Sequence, residues 1–154
     1  MEKLIKNVNI ILENRIVNNG SLVFDEESAA IDKIVPYNLE AEAEMDVIDA
    51  EGGYLTPGMI DTHIHGGGGF DTMDASAEAL DEISKILAGH GVTSFLPTTM
   101  TMAAEDIHAA LENIRQVKKN GTAGAQVLGT QVEGPFISSE YIGAQNSENI
   151  NETE

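Results

Sequence analysis

Short apolar runs separated by turn signals fill the first third of the chain. The apolar runs are "LIKNVNIIL", "SLVF", "AAIDKIVP" and "MDVIDA". Turn residues separate them, as in "NNG" at 18–20 and in "DEES". Apolar runs of this length between turn residues are typical of antiparallel strands joined by tight connections. The pattern predicts short antiparallel strands over residues 1–52, belonging to a small β-sandwich segment.

After residue 52 the hydrophobic period changes, and strand-like runs alternate with helical ones. Apolar residues at helical spacing predict one helix from Ser76 as N-cap to about His90, and a second that follows Thr101 and ends with Lys118, Lys119 and Gly121. The strand-like runs are "LTPGMIDTHIH", "VTSFLPTT" at 92–99 and "AQVLGTQVE" at 125–133. Because strands that alternate with helices indicate βαβ units, residues 53–154 are predicted to form an α/β domain with a parallel sheet.

Two histidines, His63 and His65, stand one residue apart at the end of the first of these strands. In a strand, residues i and i+2 project to the same face, so both imidazoles point one way and Ile64 points the other. Such a pair either chelates one divalent cation or combines a hydrogen-bonded core histidine with a surface histidine. Active sites of parallel α/β folds collect at the carboxyl ends of strands, and the glycines at 66–69 either let the backbone approach a ligand or form a tight turn. Asp61 either orients a histidine or caps the strand end.

The third strand is predicted to end in a carboxylate, Glu133, before Gly134 and Pro135. A Glu in this place is either a solvated turn residue or a partner of the histidines. If the three strands are neighbours in a parallel barrel, the first and third lie ~10 Å apart, a gap that inward-pointing imidazole and carboxylate side chains span. His63, His65 and Glu133 then form a ligand set suited to zinc, iron(II) or manganese.

Composition narrows the chemistry further. The chain has no cysteine, which excludes disulfides and thiolate metal sites and leaves imidazole and carboxylate as ligands. Eight Lys and Arg against 26 Asp and Glu give a formal charge of -18, which disfavours nucleic acid and anionic membranes as partners. The N-terminal run is interrupted by polar residues and lacks the continuous apolar stretch of a signal peptide or membrane span, so we expect a soluble cytoplasmic protein.

Three segments, "PGMIDTHIHGGGGFDTMDA", "HGVTSFLPTTMT" and "VEGPFISSEYIGAQN", together resemble the amidohydrolase superfamily and, within it, the N-acetylglucosamine-6-phosphate deacetylase family. Many amidohydrolases share the start of the first segment, including dihydroorotases and hydantoinases, so it indicates the superfamily only. The more specific signal is "EGPF" followed by "GAQN". The resemblance implies a metal-dependent (β/α)8 TIM barrel that hydrolyses N-acetylglucosamine 6-phosphate to glucosamine 6-phosphate and acetate.

The resemblance also implies roles for particular residues. His63 and His65 correspond to ligands of one metal position, Glu133 to a ligand of the main metal or a bridge between two, and Ala144 and Gln145 to the substrate-contacting segment. One or two divalent ions (zinc, iron or manganese) are implied as cofactor, an amino-sugar phosphate as ligand, and a homodimer as the assembly. The general-base Asp of the family is expected downstream of this chain, so no catalytic residue is assigned within it.

A complete (β/α)8 barrel needs about 250 residues and eight strands. Residues 53–154 accommodate about three βα units, so we expect the first part of a barrel that is inactive alone and leaves apolar strand and helix faces open. Two other functions stay open. One is a catalytically silent fragment that binds metal or mediates dimer contacts. The other is an amidohydrolase acting on a cyclic amide, whose metal pair a modified lysine on a later strand would bridge.

Overall fold

The structure, a computed structural model, describes residues 2–42 and 44–151. Residues 1, 43 and 152–154, which the two predicted domains include, lie outside the described residues. The chain divides after Pro57 into two compact units. None of the helices in the described ranges is both long and apolar enough to cross a membrane.

The first unit is built on one mixed sheet. Its five strands are β1 (Glu2–Ile11), β2 (Ile16–Asp25), β3 (Ala30–Val35), β4 (Asp46–Asp49) and β5 (Tyr54–Leu55). The β1 and β2 strands pair antiparallel, as do β2 and β3, whereas β4 and β5 both run parallel to β1. The prediction of antiparallel strands over residues 1–52 is therefore wrong for β4. The reason is the strand order β3-β2-β1-β4: the strand after β3 lies on the far side of β1, which makes a crossover.

The main core cluster of this unit consists of four buried aliphatic side chains: Val8, Ile10, Val17 and Leu22. Leu4 and Val23, which pair across β1 and β2, are buried as well. All the described strands of the unit belong to a single hydrogen-bonded sheet. Since a sandwich needs a second, facing sheet, the β-sandwich segment stays a prediction.

The second unit has the predicted parallel sheet. Its elements are β6 (Met59–Ile64), β7 (Gly66–Gly67), β8 (Phe70–Asp71), α1 (Ala77–Gly89), β9 (Val92–Pro97), α2 (Ala104–Asn120) and β10 (Gln126–Val127). The β9 strand lies in the middle and pairs parallel with β6 on one side and β10 on the other. The first and third strands thus flank the second, which is the order that the convergence of His63, His65 and Glu133 requires, and the carboxyl ends of all three lie at the same edge of the sheet.

Both helices begin and end close to their predicted positions. The Ser76 side chain caps α1 by accepting a hydrogen bond from the Ala79 N–H at 3.1 Å, and the last turn ends at His90 and Gly91. The apolar stripes of α1 and α2 pack with β9 around the fully buried Phe95 in one core cluster. The periodicity that predicts the helices therefore also identifies the faces that they bury.

The third strand is shorter than predicted. The segment 125–133 pairs regularly with β9 only at Gln126–Val127 and touches it again through a single bridge between Thr98 and Gln131. In a continued ladder the next N–H of β9 would belong to Pro97, which has none to donate to the Leu128 carbonyl. The Lys118 ammonium donates to that carbonyl instead, at 2.6 Å. Glu133 consequently lies in an irregular segment beyond the strand.

The first predicted strand is also divided. Tyr54–Leu55 pairs with β1 in the first unit, whereas Met59–Ile64 belongs to the sheet of the second. Large apolar side chains are exposed on β6 and in the segment after β10: Met59, Ile60, Leu128, Val132 and Phe136.

Candidate metal centre

The histidine pair lies where β6 ends. His63 is on the strand and His65 follows it, and their Nε2 atoms are 3.3 Å apart. The Ile64 side chain between them packs against the core cluster on the opposite side. The prediction that both imidazoles share one face is confirmed.

Glu133 reaches the same place from the segment after β10. Its Oε2 atom lies 3.0 Å from His63 Nε2 and 3.3 Å from His65 Nε2. Across residues 2–42 and 44–151, these three form the one group of His, Asp or Glu side chains that offers converging ligand atoms, all within 4.8 Å of one another. The structure thus brings together the three residues that the sequence predicts as metal ligands.

Hydrogen bonds to the backbone fix the histidines. His65 Nδ1 lies 3.2 Å from the Thr98 carbonyl oxygen. Because a carbonyl only accepts, Nδ1 carries the proton, and the Nε2 of a neutral ring presents its lone pair to the cluster. The Asp61 carboxylate accepts the His63 backbone N–H at 3.0 Å, so of its two predicted roles it fills that of a cap on the strand-end backbone.

The donor set fits a divalent cation. Glu133 Oε2 is buried and has no partner in hydrogen-bond geometry among the described residues, although both imidazole nitrogens lie near it. A carboxylate oxygen and two imidazole nitrogens thus converge on one place, and each of the three atoms can offer a lone pair to a cation. Nitrogen and oxygen ligands of this kind are those of zinc, iron(II) and manganese sites.

The sequence of the chain is similar to those of known proteins. Residues 54–153 match the amidohydrolase family. The chain belongs to the amidohydrolase family. It is 41% identical over 152 residues to the N-acetylglucosamine-6-phosphate deacetylase of Bacillus subtilis (strain 168), covering 94% of this chain and 37% of that protein. It is 42% identical over 126 residues to the N-acetylgalactosamine-6-phosphate deacetylase of Escherichia coli O157:H7, covering 82% of this chain and 31% of that protein.

Solved structures resemble the whole chain. The crystal structure of N-acetylglucosamine-6-phosphate deacetylase from Pasteurella multocida matches with a TM-score of 0.88 and 27% identity, covering 100% of this chain and 40% of that one. The Thermotoga maritima enzyme of the same name matches with a TM-score of 0.76 and 29% identity, covering 98% of this chain and 37% of that one. This amidohydrolase chain therefore spans about a third of the length of these curated relatives.

A hydroxyl-rich turn supports the amidohydrolase site, and the sequence reasoning assigned it no role. Thr98 Oγ1 accepts the Ile64 N–H at 3.0 Å, and Thr99 Oγ1 accepts the Glu133 N–H at 3.2 Å. Both threonines are fully buried at the end of β9. The available signal was "PTTMT", a run of hydroxyl residues directly after a buried strand at the edge where a parallel sheet carries its site.

The glycines after His65 form a tight turn. Gly66–Gly67 pairs antiparallel with Phe70–Asp71, and the two residues between them have φ of +65° and +90°. A Cβ on Gly66 would lie 2.2 Å from the Phe70 carbonyl oxygen. Of the two predicted roles, the structure therefore shows the turn.

Of the two predicted substrate residues, Gln145 contacts the cluster. Ala144 is exposed, and the Gln145 side chain contacts Glu133 and the Thr101 backbone. Their contact with substrate stays a prediction. The two other histidines of this amidohydrolase, His90 and His108, are exposed on or next to the helices and take no part in the cluster.

Proposed function

We propose that this chain is the first part of a metal-dependent amidohydrolase that deacetylates N-acetylglucosamine 6-phosphate, releasing glucosamine 6-phosphate and acetate. The observation that carries the proposal is the convergence of His63 Nε2, His65 Nε2 and Glu133 Oε2 at the carboxyl edge of a parallel sheet. The relatives named above, which are deacetylases of amino-sugar phosphates, supply the substrate class. The activity is proposed for a protein that contains this chain together with the remaining barrel strands.

The residues of the chain would hold the metal and set its surroundings. When bound, a divalent ion supplies a Lewis acid for the amide carbonyl and lowers the pKa of the attacking water. His65 is held by its hydrogen bond to the Thr98 carbonyl, and Glu133 by that of its backbone N–H to Thr99 Oγ1. His63 is half exposed, which leaves one side of the cluster open to an acetamide group.

We propose that the residue that transfers protons in the reaction lies outside these 154 residues. An Asp on a later strand would accept a proton from water and pass it to the departing sugar amine. We propose Ala144 and Gln145 as the substrate-contacting segment. A homodimer and a cytoplasmic location are also part of the proposal, and light scattering of the full-length protein tests the first.

Metal titration tests the ligand assignment on the chain itself. We expect Zn²⁺, measured by calorimetry after chelation and dialysis, to bind the chain and to bind His63→Ala, His65→Ala and Glu133→Ala far more weakly. Each loss should exceed the ~10–100-fold that removal of an outer-shell partner costs. His108→Ala is the matched control, because this exposed imidazole on α2 is outside the cluster. Equal binding by the His65 and His108 variants would refute the assignment.

Acetate release tests the reaction. The full-length protein, stripped of metal and reloaded with Zn²⁺, Fe²⁺ or Mn²⁺, should release acetate from N-acetylglucosamine 6-phosphate. N-acetylgalactosamine 6-phosphate belongs in the same assay, because one relative is named for it at similar identity. Turnover of a cyclic amide but of neither sugar would favour the cyclic-amide alternative. Acetate release by the isolated chain would contradict the expectation that this part is inactive alone.

A further inference from the structure

We propose that Gln145 is a positioning residue for the metal site, fixing the Glu133 carboxylate so that Oε2 alone faces the two imidazoles. This inference rests on the proposed metal site and adds a residue that holds a ligand without being one. Gln145 lies twelve positions after Glu133, on an irregular segment, and its side chain is partly buried.

The amide of Gln145 has one orientation that satisfies its neighbours. The Thr101 backbone N–H donates to Gln145 Oε1 at 2.9 Å. A backbone N–H only donates, so the carbonyl end of the amide must face Thr101. The Nε2 end then faces Glu133, where it donates to Oε1 of the carboxylate. The Thr101 N–H therefore fixes the orientation of the Gln145 amide, so that the amide presents its NH2 group, a donor, to Glu133.

Glu133 is thereby held at two points. Its backbone N–H donates to Thr99 Oγ1 at 3.2 Å, and its Oε1 accepts from Gln145. Ordering a glutamate side chain costs up to about 2 kcal/mol in lost rotamer entropy. Because the hydrogen bond from Gln145 orders Glu133 before the metal binds, that entropy loss does not weaken metal binding. With Oε1 engaged, Glu133 offers a single oxygen to the cluster, the one that lies against His63 and His65.

The test replaces the amide by an apolar side chain of similar length. Gln145→Met removes the donor and the acceptor, Gln145→Ala removes the whole group, and Gln126→Met makes the same chemical change at an exposed position on β10. The measurements on the 154-residue chain are the Zn²⁺ dissociation constant, the visible spectrum of the Co²⁺ form, and the melting temperature in chelator and in Zn²⁺.

We expect Gln145→Met and Gln145→Ala to bind Zn²⁺ about 10–100-fold more weakly than the unaltered chain, the range typical of outer-shell partners. The Co²⁺ bands should change in intensity as the freed Oε1 enters the coordination sphere, whereas Gln126→Met should leave both properties unchanged. Melting in chelator shows whether each variant folds. The Zn²⁺-induced rise in melting temperature, taken against each variant's own metal-free value, separates the loss of metal binding from a loss of fold.

The outcomes distinguish this inference from the proposed function. If the unaltered chain binds Zn²⁺, His65→Ala abolishes binding, and both Gln145 variants bind within twofold of the unaltered chain with the same Co²⁺ spectrum, the positioning role is wrong and the metal site stands. If the unaltered chain does not bind Zn²⁺, or if His65→Ala binds it equally well, the metal site is wrong and the role of Gln145 falls with it.

Discussion

Replacing Thr98 by Val removes one hydroxyl from the buried junction between β6 and β9. The Thr98 side chain is fully buried, and its Oγ1 accepts the Ile64 N–H at 3.0 Å and donates to the Leu96 carbonyl at 3.2 Å. Val has nearly the same shape, so packing changes little while the Ile64 N–H loses its partner. A buried donor left unpaired costs about 1–3 kcal/mol, and we expect the free energy of unfolding to fall by that amount.

Urea denaturation measures this change. The chain has no Trp, so far-UV circular dichroism and the absorbance of its three Tyr serve as probes, and their agreement checks that the transition has two states. Thr93→Val is the matched control: Thr93 is exposed on β9, its hydroxyl makes only a long 3.5 Å hydrogen bond to the Met59 carbonyl, and removing that hydroxyl should cost no more than about 0.5 kcal/mol. A cost for Thr98→Val as small as that of the control would refute the role of the hydroxyl. Ile64 lies between the two histidines, so Zn²⁺ affinity should fall as well.

Three further substitutions probe the second unit. Phe95→Ala empties the centre of its core and should cost about 3–5 kcal/mol in urea denaturation; a cost under about 1 kcal/mol would contradict the packing. Gly66→Ala places a Cβ 2.2 Å from the Phe70 carbonyl oxygen and should lower both the melting temperature and Zn²⁺ affinity; an unchanged melting curve would show that the turn adapts. The Lys85 ammonium holds the pKa of Asp81 below its usual 3.8. Because the folded pKa is the lower one, this stabilisation is complete above about pH 4 and is lost as pH falls through the folded value. Asp81→Asn should therefore flatten the acid side of a plot of melting temperature against pH, and an unchanged slope would assign acid sensitivity to other groups.

The helices could be read from the sequence because their determinants are local. Ser76 and the spacing of Leu80, Ile83 and Leu87 predict α1, and the structure has its cap, its bounds and its buried face as expected. An N-cap acts within three residues, and an apolar stripe repeats every three or four. The strands β4 and β5 could not be assigned in the same way, because their direction depends on which edge of β1 the chain reaches.

The sequence by itself determined which ligand atoms the site offers. His63 and His65 share a face because a strand alternates its side chains, and Glu133 lies near them because the segment after β10 leaves the parallel sheet at the edge where β6 also ends. Only the tertiary structure decided what holds those atoms. Thr99 meets Glu133 across 34 positions and Gln145 meets it across 12, in segments with no repeating pattern. Hydrogen bonds between such segments depend on where each backbone passes in space, and no local periodicity records that path.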